Sequence, residues 1–470
     1  MKASVLALAT AAGSAYAAQA QAYAQCGGSG WAGATECAQG WHCQAQNPYY
    51  SQCVAGAASG VASSAAPATT LATKTAPASS THTSVVKASS VAQSKAPATS
   101  VVAASHVASS SVASSSAVVV HTSAASSTIS VARTSVAATK PAASASASAG
   151  KVNYAGVNIA GFDFGCSTDG TCSSGGQVDP GDKGKTQMQH FVTDDGLNAF
   201  RLTVGWQYLV NSQLGGTLDA TNFAAYDALV SNCLAVAEMC IVSIHNYARW
   251  NGQIIGQSGG SVTNAQFTSL WSQLATKYAS KPKVAFGLMN EPHDVPDITT
   301  WASTVQEAVT AIRKAGATDN LILLPGNDWT HAASFVSDGS AAALNKVTNI
   351  DGTTKNIAFD VHQYLDGDGS GTSTSCSSSH ASDFESLATW LRSNGRQAML
   401  TEIGGGASDS SCLQMVCEAL QTLMKNSDVY LGWTGWAAGS FDSSYALSET
   451  PNGSTDQQLV TKCIAGVFNA

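Results

Sequence analysis

Apolar and polar positions change rhythm along this chain, and from residue 151 onward two rhythms alternate. Short apolar runs at 153–162, 198–204, 240–245, 284–289, 321–324, 357–362, 398–401 and 429–433 predict strands. Between them apolar residues recur at helical spacing. Phe267, Leu270, Trp271, Leu274 and Tyr278 share one face, as do Trp301, Val305, Val309 and Ile312, and again Phe384, Leu387 and Leu391. Strand followed by helix, over and over, implies parallel strands joined by right-handed crossovers. Eight such units close a (β/α)8 TIM barrel most economically, with a doubly wound open sheet as the alternative α/β fold.

Both rhythms vanish between 55 and 150. That stretch is almost entirely Ala, Ser, Thr and Val, without one aromatic or acidic residue. It buries too little apolar surface to offset the entropy of ordering, which predicts a disordered, O-glycosylated linker. Ahead of it, 21–54 is rich in Cys, Gly and aromatic residues and predicts a small separate module. Residues 1–18 combine Met1-Lys2, an apolar run and Ala15-Tyr16-Ala17, the pattern of a cleaved secretory signal. The expected domains are therefore 1–18, 21–54, 55–150 and 151–470, in a secreted, extracellular protein with no membrane span.

The 12 cysteines are even in number and suit an oxidising compartment, where they pair as disulfides. With no C-x-x-C and no H-E-x-x-H, zinc has no sequence support, and neither nucleotide, haem nor metal cofactor is expected. A net charge of −8 with only 11% charged residues lacks the basic footprint of nucleic-acid binding and suits a neutral polymer.

In a barrel, strand C-termini share one mouth, so the polar residues that end apolar strands are the candidates for chemistry. Arg201 ends the second run, His245-Asn246 the third, Asn290-Glu291 the fourth, His362-Gln363-Tyr364 the sixth and Glu402 the seventh. The eighth runs into Trp433-Thr434-Gly435-Trp436. Of the glutamates beyond residue 151, only Glu291 and Glu402 directly follow strand runs; Glu238, Glu307, Glu385 and Glu418 fall in helical stretches and Glu449 in a loop. Cleaving a glycosidic bond needs one protonated and one ionised carboxyl on opposite faces of the bond. Singly, each carboxylate could serve only as an ion-pair partner of Arg201 or a histidine. Together, ringed by Arg201, His245, His362 and Tyr364, they fit a hydrolytic pair. Trp206, Trp250, Trp329 and Trp433 follow strand-like runs and are candidates to stack on sugar faces, whereas Trp271, Trp301 and Trp390 sit on helical apolar stripes.

Asn290-Glu291-Pro292-His293, Arg201, His245-Asn246, His362-x-Tyr364, Thr401-Glu402-Ile403 and Gly435-Trp436 together resemble glycoside hydrolase family 5, over essentially all of 151–470. Residues 202–208, 325–329 and 439–443 resemble fungal endoglucanases of that family. The resemblance implies Glu291 as general acid/base and Glu402 as nucleophile in a retaining double displacement. Glu291 then needs a raised pKa, expected first from repulsion by ionised Glu402. Arg201 would orient Glu402, Tyr364 donate to it, Asn290 reach the sugar 2-hydroxyl, His245, Asn246 and His362 support the site, and Trp436 form the sugar platform. It also implies disulfides Cys166–Cys172, Cys233–Cys240, Cys376–Cys412 and Cys417–Cys463.

Four cysteines in 21–54 allow three pairings, and spacing does not choose among them. Gln25-Cys-Gly-Gly-x-Gly-Trp31 and Asn47-Pro-Tyr-Tyr-Ser-Gln-Cys53 are similar to the fungal family 1 carbohydrate-binding module. That resemblance implies a β-rich fold stapled by Cys26–Cys43 and Cys37–Cys53. It also implies a cellulose-binding face of Tyr23, Tyr49 and Tyr50, with Asn47 and Gln52 hydrogen-bonding along the chain. Trp41-His42 departs from the pattern, either widening that face or packing on its back. Asn452-Gly-Ser is the N-glycosylation sequon, set in a surface turn.

The expected function is a monomeric endo-β-1,4-glucanase acting on cellulose and soluble β-1,4-glucan. A β-mannanase of the same family would keep the same carboxylates, and a non-catalytic wall-binding protein would have lost one of them.

Overall fold

A computed structural model describes residue 19, residues 25–27, 33–39, 41–47 and 50–55, and residues 150–470 without a break. The predicted signal, most of the predicted linker, Tyr23 and Tyr49 lie outside these described residues.

In the module, β1 (Gln25–Gly27), β2 (Trp41–Asn47) and β3 (Tyr50–Ala55) form an antiparallel sheet with β3 in the centre. Asn47 pairs with Tyr50 and Gln44 with Gln52 across the β2–β3 ladder. So small a sheet cannot bury a self-sufficient core, and disulfides Cys26–Cys43 and Cys37–Cys53 supply the staple. Trp41 packs against the buried Cys26 and Cys53.

From residue 150 on, eight parallel strands close a barrel. β4 (Tyr154–Phe162), β5 (Ala199–Val204) and β6 (Met239–Ile244) come first. A two-stranded hairpin of β7 (Arg249–Trp250) and β8 (Gln253–Ile254) interrupts the series outside the barrel. β9 (Val284–Gly287), β10 (Ile322–Pro325), β11 (Ile357–His362), β12 (Ala398–Glu402) and β13 (Tyr430–Gly439) complete it, and β13 pairs with β4. The predicted TIM barrel is thus the fold, and the open sheet is excluded.

Helices α1 (Gly181–Thr193), α2 (Trp206–Leu209), α3 (Ala220–Val236), α4 (Asn264–Tyr278) and α5 (Ile298–Lys314) lie in the first half. They are followed by α6 (Ser340–Leu344), α7 (Ala381–Asn394), α8 (Ser410–Lys425) and α9 (Ala465–Phe468). Asp219, Thr263, Asp297 and Asp409 cap the N-termini of α3, α4, α5 and α8 by accepting from backbone N–H groups, which fixes where each helix begins. The stripes predicted for α4, α5 and α7 are the faces these helices bury.

Side-chain alternation along the strands divides the barrel interior into levels. Ala199, Met239, Ile241, Ala285, Leu323, Ala358 and Met399 pack together as an apolar floor. Two residues further along the same strands the inward position turns polar. Arg201 stands above Ala199, Ser243 above Ile241, Asp360 above Ala358 and Thr401 above Met399. Phe200, Leu202 and Val204 point the other way, into the layer under the helices.

Disulfides Cys166–Cys172, Cys233–Cys240, Cys376–Cys412 and Cys417–Cys463 tie the loops and outer layer. Asn452 is exposed in a turn closed by reciprocal backbone hydrogen bonds with Thr455. Among the described residues, no helix is long and apolar enough to cross a membrane.

Candidate active site

The mouth is organised by one buried cation. Arg201, fully buried on β5, donates from Nη1 to Glu402 Oε1 at 2.5 Å and to Asn158 Oδ1 at 2.9 Å, and from Nη2 to Asn290 Oδ1 at 2.6 Å. Asn158 in turn donates to the carbonyls of Thr401 and Gly435, at 2.9 and 2.8 Å, so β4, β5, β12 and β13 are laced together beneath the site. Asn158 escaped sequence analysis, although a lone polar residue between Val157 and Ile159 was its signal.

Glu402 receives a second donor, the Tyr364 hydroxyl, which reaches Oε2 at 2.7 Å. Its position depends on a register shift. Val361 pairs with Leu400, but His362 pairs with Glu402, so Thr401 is the extra residue of a bulge. Two consecutive residues therefore both serve the mouth. Glu402 faces Arg201, while Thr401 Oγ1 lies 2.9 Å from His362 Nε2 and donates its hydroxyl to Asp360.

Glu291 sits just beyond β9 with φ +40°, a left-handed conformation unfavourable for a side chain of its size and held by the surrounding packing. His362 Nδ1 lies 2.8 Å from its Oε1. Oxygens of Glu291 and Glu402 and a His362 ring nitrogen all fall within 4.8 Å of one another. The two carboxyls therefore approach each other closely; retaining glycosidases hold theirs roughly 5–5.5 Å apart and inverting ones about 6.5–9.5 Å.

Burial raises both carboxyls, but their partners differ. Glu402 is the one that accepts a guanidinium and a phenol hydrogen, and both stabilise its anion. Glu291 is pushed up to about 7, with burial as the first cause, opposed by His331 and Arg201. Desolvation is the first cause of that rise, while the repulsion between the two carboxylates, expected to lift Glu291, raises Glu402. The proton of the pair thus belongs on Glu291. His362 is driven down to about 4 by burial, and His245 is held well below its ordinary value by burial and by Arg201. Both imidazoles are neutral at the working state of the site.

Trp436 and Trp329 line the open cleft beside these groups, together with His245, Tyr364 and His331. Trp329 stacks on His293 with centroids 4.0 Å apart and planes 7° from parallel. Trp436 donates from Nε1 to the Tyr445 hydroxyl at 3.2 Å.

Three tryptophans expected at the cleft are elsewhere. Trp206 is fully buried at the start of α2, edge-on to Trp250 with centroids 5.0 Å apart, and that pair packs under the loops. Trp433 points outward, donating to the Ile464 carbonyl at 3.2 Å and meeting Phe468 edge-on. Asn246 is also buried, accepting from the Trp206 N–H and donating to Gln207, each at 2.7 Å; it braces the scaffold and does not line the cleft. Conversely, Asp163, Tyr247, His331 and Tyr445 line the mouth without having been singled out. All four come from irregular segments after strands, where periodicity gives no signal.

Residues 156–439 match the family described as Cellulase (glycosyl hydrolase family 5), and residues 22–50 match the fungal cellulose binding domain. Endoglucanase EG-II of Hypocrea jecorina is 52% identical over 96% of this chain and 95% of its own length. The crystal structure of Cel5A (EG2) from Hypocrea jecorina superposes with a TM-score of 0.65, at 60% identity, over 67% of this chain and 98% of that one. XacCel5A in complex with cellopentaose superposes at 0.60, with 31% identity, over 67% and 99% of the two chains. A strand-end carboxylate pair on a closed barrel, joined to these matches, makes the chain a member of the cellulase family, glycosyl hydrolase family 5, with a fungal cellulose-binding module at its N-terminal end.

Proposed function

We propose that the chain is a secreted, retaining endo-β-1,4-glucanase that hydrolyses internal bonds of cellulose and soluble β-1,4-glucan. The observation that carries this reading is the pair Glu291 and Glu402, closely spaced and unequally partnered. Glu402, held by Arg201 and Tyr364, attacks the anomeric carbon while Glu291 hands its proton to the departing sugar oxygen. The glycosyl ester on Glu402 is then cleaved by water that Glu291 deprotonates. With Glu402 esterified, a neighbouring negative charge is gone, and Glu291 ionises more readily. Asn290, fixed by Arg201 Nη2, is placed for the 2-hydroxyl of the reacting sugar, and Trp436 for its apolar face.

The choice of glucan is supported by the relative solved with cellopentaose and by the similarity to Endoglucanase EG-II. The module, through Tyr23, Tyr49, Tyr50, Asn47 and Gln52, anchors the barrel to cellulose at the end of the 55–150 linker, and the enzyme acts as a monomer. The test is viscosity loss and reducing-sugar release on carboxymethyl-cellulose and on galactomannan, with Glu291→Gln and Glu402→Gln alongside. Rapid viscosity loss on the cellulose derivative alone, abolished in both variants, supports the proposal. Preferential attack on galactomannan would replace glucanase by mannanase. Full activity in either variant would remove that residue from the mechanism.

A further inference from the structure

A histidine and three aspartates gather where α1 ends, and none of them lines the cleft. His190 lies in the last turn, Asp194 caps it, Asp195 follows, and Asp456 arrives from the loop ahead of the C-terminal helical segment. His190 Nδ1 stands 2.7 Å from Asp194 Oδ2, and Nε2 stands 2.7 Å from Asp456 Oδ1. Asp195 Oδ2 approaches the same Nε2 at 3.9 Å. Only 7% of the Asp195 side chain is exposed, and Oδ2 is buried without a hydrogen-bond partner. One donor atom from each of His190, Asp195 and Asp456 lies within 4.8 Å of the other two.

Electrostatics leave this cluster short of positive charge. The carbonyl end of a helix is already negative, so two aspartates placed there are unfavourable unless a cation answers them. One imidazolium can offset one carboxylate, but three are present. A buried, unpartnered carboxylate oxygen adds its desolvation penalty.

We infer that His190, Asp195 and Asp456 bind one divalent first-row transition-metal ion. Imidazole among the donors selects against Ca²⁺ and Mg²⁺, which prefer all-oxygen sites, and the general affinity order favours Zn²⁺ over Mn²⁺. Asp194 accepts the Nδ1–H and so turns the Nε2 lone pair toward the ion, the usual outer-shell arrangement for a metal-bound histidine. Donors about 2.0–2.2 Å from a common ion stand roughly 3–3.5 Å apart. The 2.7 Å edge to Asp456 opens slightly, and the 3.9 Å edge to Asp195 closes by a similar amount. The ion pins the end of α1 to the Asp456 loop and takes no part in hydrolysis.

The full-length protein is stripped with a chelator, equilibrated with Zn²⁺, Mn²⁺, Ca²⁺ or Mg²⁺, desalted, and assayed for metal per chain and for Tm. One Zn²⁺ per chain is expected, with Tm raised by about 3 °C or more at saturating metal. Mn²⁺ gives a smaller rise, and Ca²⁺ and Mg²⁺ give none. Asp195→Asn and Asp456→Asn lose both metal and rise, while Asp194→Asn weakens binding about 10–100-fold. Co²⁺ bound to wild-type protein, read by its d–d absorption, reports imidazole and carboxylate ligation without relying on any variant. Absence of stoichiometric metal with an unchanged Tm overturns the inference and leaves imidazolium as the cluster's cation. Equal Zn²⁺ binding by Asp195→Asn and Asp456→Asn overturns it too, by placing the ion elsewhere.

Discussion

His362 Nδ1 lies 2.8 Å from Glu291 Oε1, and the proton between them belongs to the carboxyl. Thr401 gives its only hydroxyl hydrogen to Asp360, so it can only accept from His362 Nε2. With Nε2 carrying the hydrogen, a neutral imidazole presents Nδ1 as an acceptor. Asp360, Thr401 and His362 thus form a string that fixes the tautomer and gives protonated Glu291 a partner.

That string sets the pH profile of kcat/KM on a neutral cello-oligosaccharide. In the proposed mechanism Glu291 acts protonated, so activity is expected to fall as pH rises through about 7. The same mechanism uses Glu402 ionised, and burial is expected to place the acid limb above the ordinary carboxylate value. A basic limb at an unshifted carboxylate pKa would contradict the burial of Glu291.

Thr401→Val removes the acceptor for Nε2–H and lets the imidazole turn its hydrogen toward Glu291. The protonated carboxyl loses its partner, and its pKa falls. The expected result is a basic limb moved to lower pH, with kcat/KM down by about tenfold. A loss of rate with an unmoved limb would mean that Thr401 is merely structural.

Chemical rescue separates the roles of the two glutamates. With Glu402→Ala, azide should attack the face that the carboxylate used and yield the α-glycosyl azide. With Glu291→Ala, azide should intercept the covalent intermediate and yield the β-anomer. Product stereochemistry by NMR decides, and the same anomer from both variants would refute the assignment.

The tryptophans should divide by placement. Trp436→Ala is expected to lower kcat/KM beyond what its lost packing against Phe441 costs in stability, because one side of the ring lines the cleft. Trp433→Ala empties a fully buried site in the outer layer and should destabilise by about 3–5 kcal/mol, read by denaturant unfolding.

Glu449, whose carboxyl lies against Gly435 beside Trp436, offers a test of pH-linked stability. Its carboxyl is fully buried with neither oxygen partnered, and burial raises it well above the usual range. A raised folded-state pKa means the native chain holds a proton that the unfolded chain releases, so this group lowers stability as pH rises past the unfolded value. Glu449→Gln should therefore match wild-type Tm near pH 4 and exceed it by several degrees at pH 7.

The strands, their order and the mouth residues Arg201, Asn290, Glu291, His362, Tyr364 and Glu402 were legible because parallel barrel strands are unbroken apolar runs that end in polar residues. Inward and outward facing was less so. Ala398 and Leu400 on β12, two apart, pair with Tyr430 and Trp433 on β13, three apart, so an extra residue at Gly432 turns Trp433 outward. Nothing in strict alternation announces that shift. Trp206 was misplaced for a related reason, since position after a strand does not reveal which way a short helix turns its ring. His331 lies beyond the positive-φ run Asp328–Thr330, whose path no periodic rule describes.

The apolar floor formed by Ala199, Met239, Ile241, Ala285, Leu323, Ala358 and Met399 gives the barrel a blind end. A polymer cannot thread through it. Chain must lie across the rim, entering and leaving on the same side. With the bottom of the socket sealed, any choice of which bond is presented for cleavage has to be made by the loops around the rim.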